Sequence, residues 1–179
     1  MCLCVSLLIL DVGCGNLPQH TYRSNIGIDV VKRPTRRPEI FICGDAYHLP
    51  FKTNTFDAIT FHQVIEHLDN PKAVLKEILR VLKSHGKLFL ATHNIYHWRK
   101  FLMILRGRDP HDGTLDHIGC WTHWEMSNLL REVGFSDVNV QTSTFGYGYH
   151  TFLDKIARLL LNRKLSDLHL YAVAKKLGR

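Results

Sequence analysis

The segment Leu8-Ile9-Leu10-Asp11-Val12-Gly13-Cys14-Gly15 ends an apolar run in a carboxylate. Two glycines then let the backbone bend and pass close to a ligand. Gly27-Ile28-Asp29 places a second acid at the end of another apolar run. A carboxylate at such a strand tip can accept hydrogen bonds from both hydroxyls of a ribose. Gly44-Asp45-Ala46, followed by Leu49-Pro50-Phe51, supplies a third acid, suited to accept from an exocyclic amine such as that of adenine. Taken singly, each acid is as readily a turn residue or a helix cap. Acids at the tips of three successive strands describe a crevice for a nucleoside. A dinucleotide fingerprint is disfavoured, because Pro18 occupies its third glycine position and Asp29 follows too soon. A Walker loop is excluded, since no Gly-Lys-Ser/Thr follows the bend.

Positioning these acids requires strands that alternate with helices. Val5–Val12 is a nearly continuous Val, Leu and Ile run, suited to a strand covered on both faces. Further strands are expected over Ile26–Val30, Ile40–Cys43 and Phe56–His62, the last entered through the turn Lys52-Thr53-Asn54. Asn70 caps a helix with Pro71 at its first position. Val74, Leu75, Ile78, Leu79 and Leu82 form its apolar stripe, and Gly86 is expected to stop it. Lys87–Thr92 reads as strand five. Tyr96–Leu105 reads as a helix and Arg106–Cys120 as a polar loop. Thr122 with Glu125 forms a capping box for a helix that turns Met126, Leu129, Leu130 and Val133 inward and ends at Gly134. Ser136–Thr142 is a sixth strand, Thr151–Leu161 a helix, and Leu168–Ala174 a last strand whose alternation suits a partly exposed, antiparallel position.

The expected fold is therefore α/β, a doubly wound and mostly parallel sheet of seven strands with an antiparallel last strand. Asn16–Asn25 and Val31–Glu39 are too short for full crossover helices, so the early helices are shortened. A single domain over 1–179 is expected, with 96–121 as an insertion on the acceptor side.

Composition narrows the class. The 179 residues are 45% hydrophobic and 22% charged, a globular balance. No apolar run reaches the roughly 20 residues of a membrane span. The five cysteines show no C-x-x-C pair, which argues against a disulfide framework or zinc ribbon and for a reducing, cytoplasmic setting. A net charge of +7 is concentrated at Lys32, Arg33, Arg36 and Arg37, at Arg99, Lys100, Arg106 and Arg108, and in the C-terminal third. Such patches suit a solvated face, and they leave nucleic acid open as a partner.

The order and spacing of these motifs resemble the class I S-adenosylmethionine-dependent methyltransferases, in the methyltransferase-domain group with a D-x-G-C-G opening. Further likenesses are Phe56-Asp57-Ala58-Ile59 through Val64-Ile65-Glu66-His67-Leu68, the Leu79-Arg80-Val81-Leu82-Lys83 junction, and His117-Ile118-Gly119-Cys120-Trp121-Thr122 leading to Leu129–Phe135. The resemblance implies a Rossmann-like methyltransferase fold and S-adenosyl-L-methionine as cofactor. It implies that Asp11, Gly13, Cys14 and Gly15 cradle the methionine part. It assigns Asp29 to the ribose, Asp45 and Ala46 to the adenine side, and His62 with Gln63 to the methionine end. Leu17 stands where the family has a third glycine, and the chain begins in strand one, without the helices that precede it in the family. An open cofactor side, or a partner subunit covering it, is the expectation.

Attack on a sulfonium methyl needs alignment more than a catalytic triad, and a base only where the acceptor must lose a proton. Acceptor-side candidates are His62, His93, His97, His117 and Trp121, with His117 preferred as the catalytic residue because it lies in the family-like stretch. No metal is expected, since His93, His97, His117 and His123 form no compact pair within one helix; Glu66-His67 could also hold a divalent ion, but capping the helix that starts at Asn70 is the simpler role. Phe145–Tyr149 is either a flexible aromatic lip or filling at the sheet edge. The leading expectation is methyl transfer to a small-molecule or lipid-like acceptor. RNA or protein acceptors, a catalytically idle cofactor-binding module, and a nicotinamide-dependent oxidoreductase are the alternatives.

Overall fold

The computed structural model describes residues 7–15, 24–31, 39–109, 117–143, 160 and 169–178. Among them, strands β1 (Ile9–Val12), β2 (Ile26–Asp29), β3 (Ile40–Cys43) and β4 (Phe56–His62) precede helix α1 (Pro71–Val81). Strand β5 (Leu82–His93), helices α2 (Trp98–Leu105) and α3 (His123–Val133), and strands β6 (Phe135–Ser143) and β7 (His169–Lys176) follow. The sheet order is β3-β2-β1-β4-β5-β7-β6. β1, β2, β3, β4 and β5 pair in parallel, whereas β7 runs antiparallel to both β5 and β6. The expected seven-stranded, mostly parallel sheet with an antiparallel last strand is what forms. β7 is not a margin strand: it is wedged between β5 and β6, with His169, Leu170, Ala172 and Ala174 buried.

The apolar periodicities act as read. Leu10 and Val12 of β1 and Ile59 and Phe61 of β4 are fully buried, and so are Val74, Leu75, Ile78 and Val81 of α1. α1 packs beside α3, whose Met126 and Leu130 join the same core. Burying each such side chain contributes about 1.5–3 kcal/mol, which makes this layer the main anchor of the strand tips.

Local chemistry sets most boundaries. The Asn70 side chain accepts from the Ala73 amide at 3.2 Å, with Pro71 at the first helical position. The expected end of α1 at Gly86 is corrected: the helix stops at Val81, and Leu82 is already extended (φ −65°, ψ 139°). Phe56 pairs with Leu82 but Ala58 with Lys87, so residues 83–86 bulge from the ladder within β5. Gly86 serves this bulge. A Cβ there would lie 2.9 Å from the Lys83 carbonyl oxygen and 3.2 Å from that of Asp57. At the α3 start, the Glu125 amide donates to Thr122 Oγ1 (3.1 Å) and the Thr122 amide to Glu125 Oε2 (2.9 Å). Gly134 closes the helix with φ 113°, a conformation open to glycine. Leu17, Pro18, the Lys32–Arg37 cluster, most of the expected 151–161 helix and the Phe145–Tyr149 segment lie outside the described residues.

Asp57 ties the entrance of the sheet. Its Oδ2 accepts from the Leu8 amide at 2.9 Å, and its Oδ1 meets Lys83 Nζ at 2.8 Å. The hydrogen bond and charge of Lys83 hold this carboxyl below its usual range.

Two outcomes follow for stability. Thr122→Ala is expected to cost about 1 kcal/mol, read as a lower urea midpoint with an unchanged slope. The Asp57 contribution is fully present above the unfolded carboxyl value of about 3.9 and is lost as pH falls through the lower folded value. Asp57→Asn should therefore flatten the acid limb of a stability–pH curve measured by thermal melting.

Candidate functional site

Parallel strands that end side by side leave their last amides and side chains facing one crevice. In this chain the crevice is a cavity of about 420 Å³ at the carboxyl ends of β1 to β4, within the usual range for small-molecule sites. Gly13 and Gly15 follow β1, Asp29 ends β2, Asp45 and Ala46 follow β3, and His62 and Gln63 close β4; all of them line the cavity. Asp11 and Cys14, expected beside them, are not in its described lining. Asp11 is 7% exposed and turned to β4, where its Oδ1 accepts from Thr60 Oγ1 at 2.7 Å. The Cys14 thiol is pushed up to about 12 by burial, with the Asp11 and Asp29 carboxylates adding to the shift. It is thus a neutral, unreactive thiol.

Hydrogen bonds hold the glycine bend. The Gly13 and Cys14 amides donate to the Ile28 carbonyl at 2.8 and 3.3 Å. The Gly15 amide donates to Asp29 Oδ2 at 2.7 Å, while Asp29 Oδ1 accepts from the Val31 amide at 2.9 Å. Asp29 therefore binds its own loops as well as facing the cavity, and each oxygen keeps a lone pair for a ligand. Asp45 Oδ1 accepts from the Tyr47 amide at 2.9 Å, a turn that leaves the carboxylate exposed.

Gly13 and Gly15 have φ of 73° and 42°. Gln63, at φ 54°, holds the same left-handed region without a glycine's freedom, and its amide donates to the Ala91 carbonyl at 2.8 Å. Such strain concentrates at functional sites. Gln63 Oε1 is buried and has no hydrogen-bond partner among the described residues. An acceptor left unsatisfied on a cavity wall fits a ligand that brings an N–H donor.

Sequence reasoning missed several wall residues. Ile28, Val30, Val64 and Leu68 supply apolar surface, and Tyr47 and His67 also line the cavity. Tyr47 Oη accepts from the Asn70 amide at 3.0 Å, linking the wall to the cap of α1. The apolar positions in Val64-Ile65-Glu66-His67-Leu68 were the available signal, but only the 3-10 turn over Ile65–His67 turns Val64, His67 and Leu68 to the cavity and buries Ile65 and Glu66.

The acceptor-side candidates separate. His62 is in the cavity wall. His117 is half-buried outside it, its ring 4.7 Å from that of His67 and 5.1 Å from that of His93. His97 is buried at the start of α2, 5.8 Å from the Trp98 ring. Trp121 packs against the core, and its backbone bridges to Asn94. His123 Nε2 lies 2.7 Å from the Val140 carbonyl oxygen, a fastening of α3 to β6. Glu66 does not cap α1: it is 1% exposed and accepts from Thr92 Oγ1 at 2.9 Å.

Residues 10–90 match the family described as Methyltransferase domain. A demethylmenaquinone methyltransferase of Paenarthrobacter aurescens is 38% identical over 168 residues, covering 77% of this chain and 66% of that protein. One from Renibacterium salmoninarum is 41% identical over 96 residues, covering 46% and 40%. The chain thus spans less than two thirds of either relative. A Thermotoga maritima structure, titled as a SAM-dependent methyltransferase and possible histamine N-methyltransferase, superposes with a TM-score of 0.70 at 19% identity. That superposition covers 98% of this chain and 84% of the other, which establishes the shared fold.

The two glycines of the bend differ in a measurable way. A Cβ on Gly13 would lie 2.2 Å from Val64 Cγ2, whereas one on Gly15 meets nothing closer than 3.7 Å. Left-handed backbone costs an L-residue about 1–2 kcal/mol. Gly15→Ala should lose about that much, and Gly13→Ala distinctly more. Urea denaturation of both variants checks the order, and Val64→Ala should restore part of the Gly13→Ala loss.

Proposed function

We propose that this chain, whose residues 10–90 match the family described as Methyltransferase domain, is a class I S-adenosylmethionine-dependent methyltransferase that binds its cofactor in the strand-tip cavity and transfers the methyl group to a small, lipid-like acceptor. The observation that carries the reading is the convergence of Gly13, Gly15, Asp29, Asp45 and Gln63 on one cavity. The buried, unsatisfied Oε1 of Gln63 and the open surroundings of Gly15 fit a ligand with an ammonium-bearing tail.

In this reading the bend at Gly13 and Gly15 accommodates the methionine portion, and Gln63 Oε1 accepts from its ammonium. Asp29 accepts from the ribose hydroxyls, and Asp45 with Ala46 borders the adenine between the apolar walls of Ile28, Val30 and Leu68. The bound cofactor supplies an electrophilic methyl on a sulfonium. The protein's own work is to hold the acceptor in line and exclude water. His62, on the wall at the end of β4, orients the acceptor side. His117, its ring 4.7 Å from that of the cavity-lining His67, stands behind this wall.

The demethylmenaquinone methyltransferases among the relatives support a ring-bearing, hydrophobic acceptor. The 96–121 segment is the proposed acceptor side. Its helix α2 buries no residue and exposes Phe101, Ile104 and Leu105 next to Arg106 and Arg108. No helix among the described residues is long and apolar enough to cross a membrane.

Calorimetry with S-adenosylmethionine, S-adenosylhomocysteine and NAD tests the proposal. The first two should bind and NAD should not; absence of all binding would instead favour an idle module. Asp29→Ala should weaken S-adenosylhomocysteine binding about tenfold or more, from hydrogen bonds worth about 1.5–3 kcal/mol. An unchanged affinity would refute the ribose assignment.

A further inference from the structure

The end of β5 gathers imidazoles that the cavity does not employ. The His93 ring, on the last residue of β5, lies 5.4 Å from that of His169 on the paired β7 and 5.1 Å from that of His117. Beside them stands Glu66, 1% exposed. Its Oε2 accepts from Thr92 Oγ1 at 2.9 Å, and its Oε1 is buried without a hydrogen-bond partner among the described residues. One donor atom each from Glu66, His93 and His117 falls within 4.8 Å of the others.

This grouping is unfavourable as an ordinary core. A buried carboxylate oxygen without a donor costs free energy. Burial raises the Glu66 carboxyl and, with the facing His169 and His117 rings, takes His93 down to about 3. A divalent cation satisfies the carboxylate and the imidazole lone pairs together.

We infer that Glu66, His93 and His117 form a binding site for a divalent transition-metal ion of the zinc type. Two imidazoles and one carboxylate match zinc, cobalt or ferrous iron, whereas magnesium and calcium prefer all-oxygen sites. A tetrahedral ion with bonds of about 2.0–2.2 Å spaces its donors about 3.5 Å apart. Side-chain rotation of roughly an ångström closes the group to that spacing. The backbone is already set, because the Ile118 and Gly119 amides donate to the Glu66 carbonyl at 2.8 and 3.1 Å. These bonds hold the His117 segment against the turn that carries Glu66. Thr92 Oγ1 orients the carboxylate from behind, the kind of support that metal ligands use.

Three protein donors leave open coordination positions, as in catalytic rather than structural sites. The ring contact between His117 and His67 joins the site to the cavity, whose lining includes His67. The donors lie at positions 66, 93 and 117, so no spacing within one helix could announce them.

The test uses the full chain stripped with a chelator and titrated with Co2+, then with competing Zn2+. One Co2+ per chain should bind with visible d–d absorption and be displaced by Zn2+. Glu66→Gln and His117→Ala should each weaken binding about tenfold or more, while the exposed, distant His85→Ala should leave it unchanged. Circular dichroism establishes that each variant is folded; if Glu66→Gln is not, His117→Ala decides. Absence of saturable one-to-one binding, or affinity unmoved by the folded variants, would overturn the site. This readout is independent of methyl transfer, so its failure leaves the cofactor reading standing.

Discussion

The hydrogen bond from the Gly15 amide to Asp29 Oδ2, at 2.7 Å, joins the two strand tips on which the cavity depends. β1 and β2 are adjacent parallel strands, and the chain between them is short. The bend after β1 must therefore turn at once and find partners for its amides. It takes them from the Ile28 carbonyl and the Asp29 carboxylate. The same acid that faces the cavity thus fixes the loop that borders it, which makes fold and cavity wall inseparable at this point.

That coupling accounts for the left-handed residues that border the cavity. Gly13, Gly15 and Gln63 all hold positive φ at the mouths of β1 and β4. Glycine meets this need without steric cost, and at Gly13 the closeness of Val64 excludes any side chain. Gln63 bears the strain with a side chain present, which fits a position where the amide group itself is required. The buried layer of Leu10, Val12, Ile59, Phe61 and the α1 stripe holds these conformations in place.

The carboxyl end of β5, next to the cavity, follows a different electrostatic logic. Glu66 and the rings of His93, His117 and His169 form a polar pocket where an apolar filling would be expected beneath a turn. Proteins tolerate such groups in cores when each is satisfied or when a ligand completes them. The cavity and this pocket touch through His67, which places two chemically distinct features along one wall.

The sequence by itself determined the strands and helices whose signals are local. The Asn70 and Thr122 caps, the α1 stripe and the three acids at successive strand tips needed only short-range periodicity and hydrogen-bond chemistry to be read. The order of those motifs was also enough to recognise the fold family. Tertiary structure alone decided what depends on partners far along the chain. The bulge at 83–86 takes Gly86 out of a helix end, because β4 must keep its register beyond Phe56. Asp11 turns to Thr60 rather than to the cavity, because Thr60 is its register partner on β4 and shares its face of the sheet. β7 keeps the partly exposed, antiparallel character its alternation suggested, but only the packed sheet places it between β5 and β6. Glu66, His93 and His117 meet only because β5 and the 117 segment both end beside the same turn. Hydrogen bonds within a turn of chain are written in neighbouring residues, whereas contacts across a sheet exist only once the layers have packed.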